Sequence, residues 1–580
     1  MALLSGIRRA IGEAMKHIFI AIAILFILLL LWCGMSWGAT YFIEPDVSNP
    51  TTKIMYDTNG WPSDNDGTRT TNTDLEAARI AGGDGAVFIL SGGVYGQTYS
   101  GTMIDADDGL DILNDNQIWR SPIISDPDYS SHSGTVIVDG TAFTDWTIRI
   151  NDHNSNTLSN LTIKGDYEFG TIGNIGTSSN TIFEYLTVSG NVTAGSPNIY
   201  VAGDVGGDPS NVEISNCVII IESQPTRGVY FSNADEGSGN SIHDCVIYNT
   251  SGTVPESLNN AGIYILRSNS ISVYNNTIGD ETNRVTEGVL INDSDNNEIY
   301  LNTIEWCWDG DTYPDDFGHG IAIQGSSEGN IIRNNYLYKN SRVGILINSS
   351  SGNGGNIIKF NLVVASIVNG ISHESPANSI PDKIWGNTIY HVPTGSSGHG
   401  IAVQINGIKA DIRNNLIYAY TIEVSHNIEC ISITDDANPN EYDVTLNNNL
   451  YYAEGTAYIA KDEDGSYSTL SAWQTSISDD SGISEKDVYS LSIDPLLDSN
   501  YSPQAGSPAI NAGTKWMTPS DGDQYQFIDD TDTTELIYDS DHDRLVNSAI
   551  DGIEIGAFGY DIKPDTAIQG AVLTGAVINP

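Results

Sequence analysis

Apolar and polar residues alternate in short runs along most of this chain, and the runs recur. GVYF from Gly228, GIYI from Gly262, GVLI from Gly288, GIAI from Gly320, GILI from Gly344, GISH from Gly370 and GIAV from Gly400 each set a glycine ahead of alternating residues, at intervals of 24 to 34 residues. A period of two marks strands with one buried face. A second segment follows in each unit and ends at an asparagine and then an apolar residue, as in VYNNTI, IYLNTI, IIRNNYL, IIKFNLV, KIWGNTI and DIRNNLI. Two strands per unit, with no 3.6-residue periodicity between them, exclude leucine-rich, ankyrin and helical repeats.

Each unit therefore reads as one coil of a parallel β-solenoid. Coils stacked at the strand spacing of about 4.8 Å bring equivalent residues into contact, so Ile over Ile fills the interior. Coils from about Val136 to Ala460 make roughly eleven or twelve turns, or about 55 Å of solenoid at that spacing. Asn276, Asn302, Asn335, Asn361, Asn387 and Asn415 form a column at a turn, where asparagine tolerates left-handed backbone and its amide can bond to the next coil. Cys217 and Cys245, in ISNCVI and IHDCVI, occupy equivalent positions and read as small inward-stacked core residues, a disulfide being the alternative.

Targeting and charge narrow the setting. Lys16 and His17 lead into an apolar run from Ile18 to Trp32, which reads as the core of a signal peptide over residues 1–39, with Met15 an alternative start and cleavage near Gly38 or Ala39. That run falls short of the roughly 20 residues that span a bilayer, so no stable membrane insertion is expected after cleavage. The chain is expected to be secreted, to the exterior, the cell surface or the periplasm. Asp and Glu total 74 against 24 Lys and Arg, a net charge of −50, which repels nucleic acid and anionic membranes. The same field repels polyanionic sugars unless calcium bridges them. Beyond the signal only Cys217, Cys245, Cys307 and Cys430 remain, none in a CxxC pair, so stability must come from a core.

The repeats resemble the right-handed parallel β-helix superfamily of pectate lyases, polygalacturonases and many secreted bacterial proteins. TYFIEPDVSNP and TDLEAARIAGGDGAVFILSGGVYG are similar to that group's entry segment, with Thr73 and Glu76 at capping-box spacing for a short helix over the first coil. DPLLDSNYSPQAGSPAINAG and DGIEIGAFGYD are similar to its closing segments. The resemblance implies an all-β, single-stranded right-handed parallel β-helix. The expected layout is an N-terminal cap and first coils over 40–135, repeats over 136–460, a closing segment over 461–560 and a tail over 561–580.

Chemistry is expected where coils lengthen, because extra residues must bulge outward and form groove walls. EWCWDGDTYPDDFGHG, from Glu305 to Gly320, packs Trp306, Trp308, Tyr313, Asp309, Asp315, Asp316 and His319 into one such excess. Aromatic faces suit the apolar face of a sugar ring, and carboxylates suit its hydroxyls. Stacking sets Tyr338, Lys339 and Arg342 at the same corner of the next coil. Glu374 falls in a column with Gln324 and Asn348. His391 and His399 follow from a second long unit, the latter about 14 Å from His319 if three coils intervene. Asp309, Asp315, Asp316, His319 and Arg342 are the candidate catalytic groups. Trp306, Trp308, Tyr313, Tyr338, Lys339, Glu374 and His399 are the candidate substrate-binding groups. Asp539, Asp541 and Asp543 in DSDHD present alternating oxygens suited to calcium, without the twelfth-position Glu of an EF-hand. DDFGHG resembles the paired-Asp and GHG motifs of polygalacturonases, but there the two lie on different coils ahead of an RxK that is absent here. No DPH motif like that of alginate epimerases occurs.

Two functions fit these features. One is a carbohydrate-binding or polysaccharide-processing β-helix with a lyase- or glycosidase-like groove, whose partner is a polysaccharide or cell-surface glycan and whose cofactor would be calcium. The other is a non-catalytic adhesive or structural solenoid. Convergent carboxylates in an open groove distinguish the first from the second.

Overall fold

A computed structural model describes most of residues 84–509. Before them it describes the strands Thr40–Pro45, Ile54–Asp57 and Thr70–Asn72, and after them the paired strands Trp516–Met517 and Tyr525–Gln526. The loops 97–109, 251–260, 309–317, 392–398 and 434–442 are among the segments outside the description. Residues 1–39 and the Thr73–Glu76 cap also lie outside it. Among the described residues, no helix is long and apolar enough to cross a membrane.

Three long sheets wrap one core. Sheet A has 17 strands, two antiparallel pairings at its start and parallel pairings elsewhere; sheets B and C have 14 strands each. Successive coils contribute one strand to each in the order A, B, C. Glu298–Tyr300, Thr303–Glu305 and Ile321–Gly325 make one coil, and Ile331–Arg333, Tyr336–Tyr338 and Val343–Ser349 stack on them in register. The fold is thus an all-β parallel solenoid of roughly the expected length. Its interior is a continuous stack of Ile, Val and Leu, with Phe88, Trp119 and Phe183 in the early coils. That stack is the hydrophobic term that holds the coils together.

The coil has three strands, not the expected two. The second sequence segment is two short strands broken by one left-handed residue, at Asn275, Leu301, Asn334, Phe360 or Asn414, with φ between 54° and 60°. This left-handed residue lies immediately before the column asparagine, which corrects the expectation that the asparagine itself takes that conformation. The bend turns the next side chain inward. Asn276, Asn302, Asn335, Asn361 and Asn387 each donate their amide to the following asparagine's Oδ1 at 3.0 Å, and Asn415 donates to Asn449 at 3.1 Å. Each Oδ1 also accepts the backbone N–H of the preceding coil, as Asn335 does from Asn302 at 3.0 Å. Turn amides that would be buried and unpaired are thereby satisfied. A second ladder, Asn297, Asn330, Asn356 and Asp382, lines the corner between sheets C and A.

The glycine column marks a bulge at the start of each sheet C strand. Val289 and Ile291 face the core, Leu290 faces out, and Gly288 faces in beside Val289. A Cβ on Gly288 would lie 2.3 Å from the Gly320 carbonyl oxygen and 2.4 Å from Ile304, so the close approach of coils requires glycine. One repeat is out of phase with its sequence alignment. Ile371 pairs with Val403, so Ala402 stands beside Gly370, and Gly400 lies two residues earlier. The two GHG motifs are therefore not equivalent positions.

Cys217 and Cys245 are free, buried and stacked as expected, with the Cys217 amide donating to the Cys245 sulfur at 3.4 Å. At the C-terminal end the hairpin Tyr458–Asp462/Gly465–Tyr467 precedes α1, Leu470–Ser476, which Thr469 caps by accepting the Ala472 N–H. Trp473 on α1 is fully buried against the last coil. The chain then returns over sheet B, where Leu491, Leu497 and Ala509 pack on Leu416 and Leu450. Tyr501 stands 4.7 Å from Tyr390.

Candidate functional site

The outer face of sheet C and the corner between sheets B and C carry the described candidate groups. Parallel register turns each outward position into a column along the solenoid. One column runs Asn292, Gln324, Asn348, Glu374 and Asn406 on successive coils, every side chain half-buried. The expected grouping of Glu374 with Gln324 and Asn348 holds in this column. The adjacent column runs Tyr200, Tyr230, Tyr264, Leu290, Ala322, Leu346, Ser372, Gln404 and Ser432, changing from aromatic to aliphatic to polar. At its aromatic end Tyr200, Tyr230 and Tyr264 stack 5.1 and 5.0 Å apart, and the Arg227 guanidinium lies 4.3 Å over Tyr230. Trp146 fills the space left by Gly173.

A third outward column holds Ala261, Glu287, His319, Val343 and Asn369. His319 was expected to line a groove beside Asp315 and Asp316; it is 1 % exposed and bound to Glu287, itself 1 % exposed. The Glu287 carboxylate accepts the His319 backbone N–H at 2.9 Å and faces its ring Nδ1 at 3.0 and 3.1 Å. A carboxylate there accepts the hydrogen on Nδ1 and so orients the ring. Nε2 is buried without a hydrogen-bond partner. Sequence reasoning missed Glu287. Its signal is available, because Glu287 and His319 each stand one residue before a column glycine, so aligning the repeats on glycine superposes them.

The B–C corner gathers five of the expected residues. Trp306 and Lys339 both take the left-handed bend, with φ of 55° and 53°. Lys339 Nζ sits 4.5 Å from the Trp306 ring and 5.0 Å from Tyr338, and Tyr338 meets Trp306 edge-on at 6.2 Å. From the preceding coil Arg284 lies 5.1 Å over Trp306 and 5.0 Å over Trp308, another contact the sequence did not suggest. Cations over indole faces hold this shelf together across three coils. Glu305, at the shelf's base, has its carboxyl raised by burial and by Asp280, with Lys339 opposing. Arg342 joins the corner through its backbone, its N–H donating to the Gly318 carbonyl at 3.1 Å and its carbonyl accepting from Val368 and Asn369.

Other expected residues fall elsewhere. His391 does not line the groove; its ring is buried at the corner with neither nitrogen hydrogen-bonded, and burial lowers its pKa to about 4. The backbone of His399 pairs with Asn427 in sheet C. Asp309, Tyr313, Asp315, Asp316, Asp539, Asp541 and Asp543 lie outside the described residues. Among the described residues, no group of three or more His, Cys, Asp or Glu is arranged to hold a metal ion.

Residues 221–417 match the family model of the right handed beta helix region. This central stretch is thus a right-handed β-helix, as the sequence resemblance implied, and the coil continues in register on both sides of it. A search of the curated proteins finds no match. Among solved structures, the chain is similar to pectate lyase Pel9A at 12 % identity over 91 % of this chain and 98 % of that one, TM-score 0.32. It is similar to a periplasmic alginate epimerase at 14 % identity over 66 % and 74 % of the two chains, TM-score 0.30. A tailspike protein of an E. coli bacteriophage, in complex with a pentasaccharide, aligns at 9 % identity over 66 % and 67 %, TM-score 0.32.

Proposed function

We propose that this chain is an exported polysaccharide-binding β-helix whose glycan lies along the outer face of sheet C, against the aromatic shelf of the B–C corner. The observation that carries this reading is the column Asn292, Gln324, Asn348, Glu374 and Asn406. Five hydrogen-bonding side chains, half-buried and one per coil, repeat along a line as the hydroxyls of a linear glycan do. Beside them the half-buried Tyr200 and Tyr230 offer apolar surface for ring faces. A second reading, the adhesive or spacer solenoid without chemistry, is favoured by the burial of Glu287 and His319, which withdraws that acid–base pair from solvent.

A glycan array probed with the full chain, with and without calcium, tests the reading. At least one polysaccharide is expected to bind, and the Gln324→Ala/Asn348→Ala pair to weaken it about tenfold, since two hydrogen bonds are lost. Binding by no glycan in either condition, or full affinity in the double variant, would overturn it. Turnover of the bound glycan would set the spacer reading aside.

A further inference from the structure

We infer that the polar end of sheet C, built from Asn369, Ser372, Glu374, Gln404, Glu429 and Ser432, is a subsite for a neutral, hydroxyl-rich sugar and selects against uronates. This rests on the glycan reading above. The six residues come from three coils, with Ser372, Gln404 and Ser432 in one outward column and Asn369, Ile401 and Glu429 in the next. Their mutual hydrogen bonds occupy the Asn369 amide and the Ser372 hydroxyl. The Asn369 amide donates to Gln404 Oε1, and the Ser372 hydroxyl is 2.8 Å from Glu374 Oε1 and 3.2 Å from Gln404 Oε1.

What remains is carboxylate oxygens that accept, the Gln404 amide nitrogen that donates and a hydroxyl that can do either. Glu429, 2 % exposed, keeps Oε1 without a hydrogen-bond partner, and Ser432, wholly buried, keeps its Oγ without one. Buried polar atoms without partners are rare and costly, and these two face the same side as the half-buried Gln404 and Glu374. Burial also raises the Glu429 carboxyl above the ordinary range, with Lys461 and the Ser466 hydroxyl opposing. At this end of the two columns Lys461, opposite Ser432, is the one cation among the described residues.

Sugar hydroxyls, which both donate and accept, complement this mixed set. A uronate carboxylate would instead meet Glu374 and Glu429 with one lysine to offset them. Removing water from such a like-charge arrangement is unfavourable. Selectivity therefore comes from these local carboxylates as well as from the overall negative field.

The array supplies the probes: the tightest neutral oligosaccharide and the tightest uronate oligosaccharide, each titrated calorimetrically into the full chain in EDTA. The neutral sugar is expected to bind at least tenfold more tightly. Gln404→Ala is expected to weaken it five- to twentyfold, and Glu374→Gln to narrow the preference by raising uronate affinity. Equal affinities in EDTA, or unchanged neutral binding by Gln404→Ala, would overturn the subsite. If the neutral sugar binds and responds to Gln324→Ala but not to Gln404→Ala, the subsite fails and the glycan reading stands. If no oligosaccharide binds, the glycan reading fails.

Discussion

His391 shows how a single residue in a solenoid can be misplaced by its chemistry. Alternation along Thr388–His391 puts Ile389 in, Tyr390 out and His391 in, level with the core residue Ala419, so the pattern outweighs the expectation that a histidine beside a long loop faces a groove. Inside, no group bonds to its ring. The folded state therefore holds it neutral, with a pKa near 4 in place of 6.5. A depressed histidine pKa means that its contribution to stability is complete above about pH 6.5. It is lost as pH falls through 6.5 toward 4, because the unfolded chain takes up the proton first. Across that window the loss amounts to roughly 3 kcal/mol. In His391→Leu this acid sensitivity disappears, so the gap between wild-type and variant urea midpoints should shift toward the variant from pH 7 to pH 4. Parallel titration of the two proteins would show that the ring is protonated or solvated in the fold.

At the scale of the strand, the glycine column was legible because its physical demand is uniform: every coil needs a residue without a side chain at the bulge. Gly344 states the demand in numbers, since a Cβ there would lie 2.3 Å from Val363 and 2.6 Å from the Gly370 carbonyl oxygen. Gly344→Ala is expected to destabilise by about 2 kcal/mol or more, read by equilibrium denaturation, because both neighbours are packed and one is backbone. A loss below about 0.5 kcal/mol would mean that the coils can separate locally. The third strand was not legible, because its bend is made by Asn275, Leu301 and Phe360 alike. Leucine and phenylalanine rarely occupy left-handed backbone, so no residue type announces the turn. The candidate site divides the same way. Glu374, Gln324 and Asn348 follow from register alone. The Arg284 clamp depends on a loop whose path is set by Asp280, which accepts the Thr282 and Asn283 N–H groups at 2.7 Å each.

For the whole molecule, stacking makes stability nearly one-dimensional: each coil is held by its two neighbours, and the ends need covers. The C-terminal cover is α1. Trp473 closes the core, and its Nε1 donates at 3.2 Å to Asp487, a fully buried carboxyl raised by that burial. Asp487 also contacts Ser490, whose hydroxyl accepts the Asn449 N–H at 2.8 Å, so the cap and the asparagine ladder end on the same group. Trp473→Ala removes the ring and leaves Asp487 short of a donor, at a cost of about 3–5 kcal/mol to the cap. In a solenoid that cost is local first. Hydrogen exchange should rise in Asn427–Ile433, Asp443–Asn447 and Leu450–Gly455 and remain at wild-type levels near Thr157–Gly190. Equal loss of protection along the chain would show one cooperative unit, in which a binding face on sheet C could not loosen at one end while holding a glycan at the other.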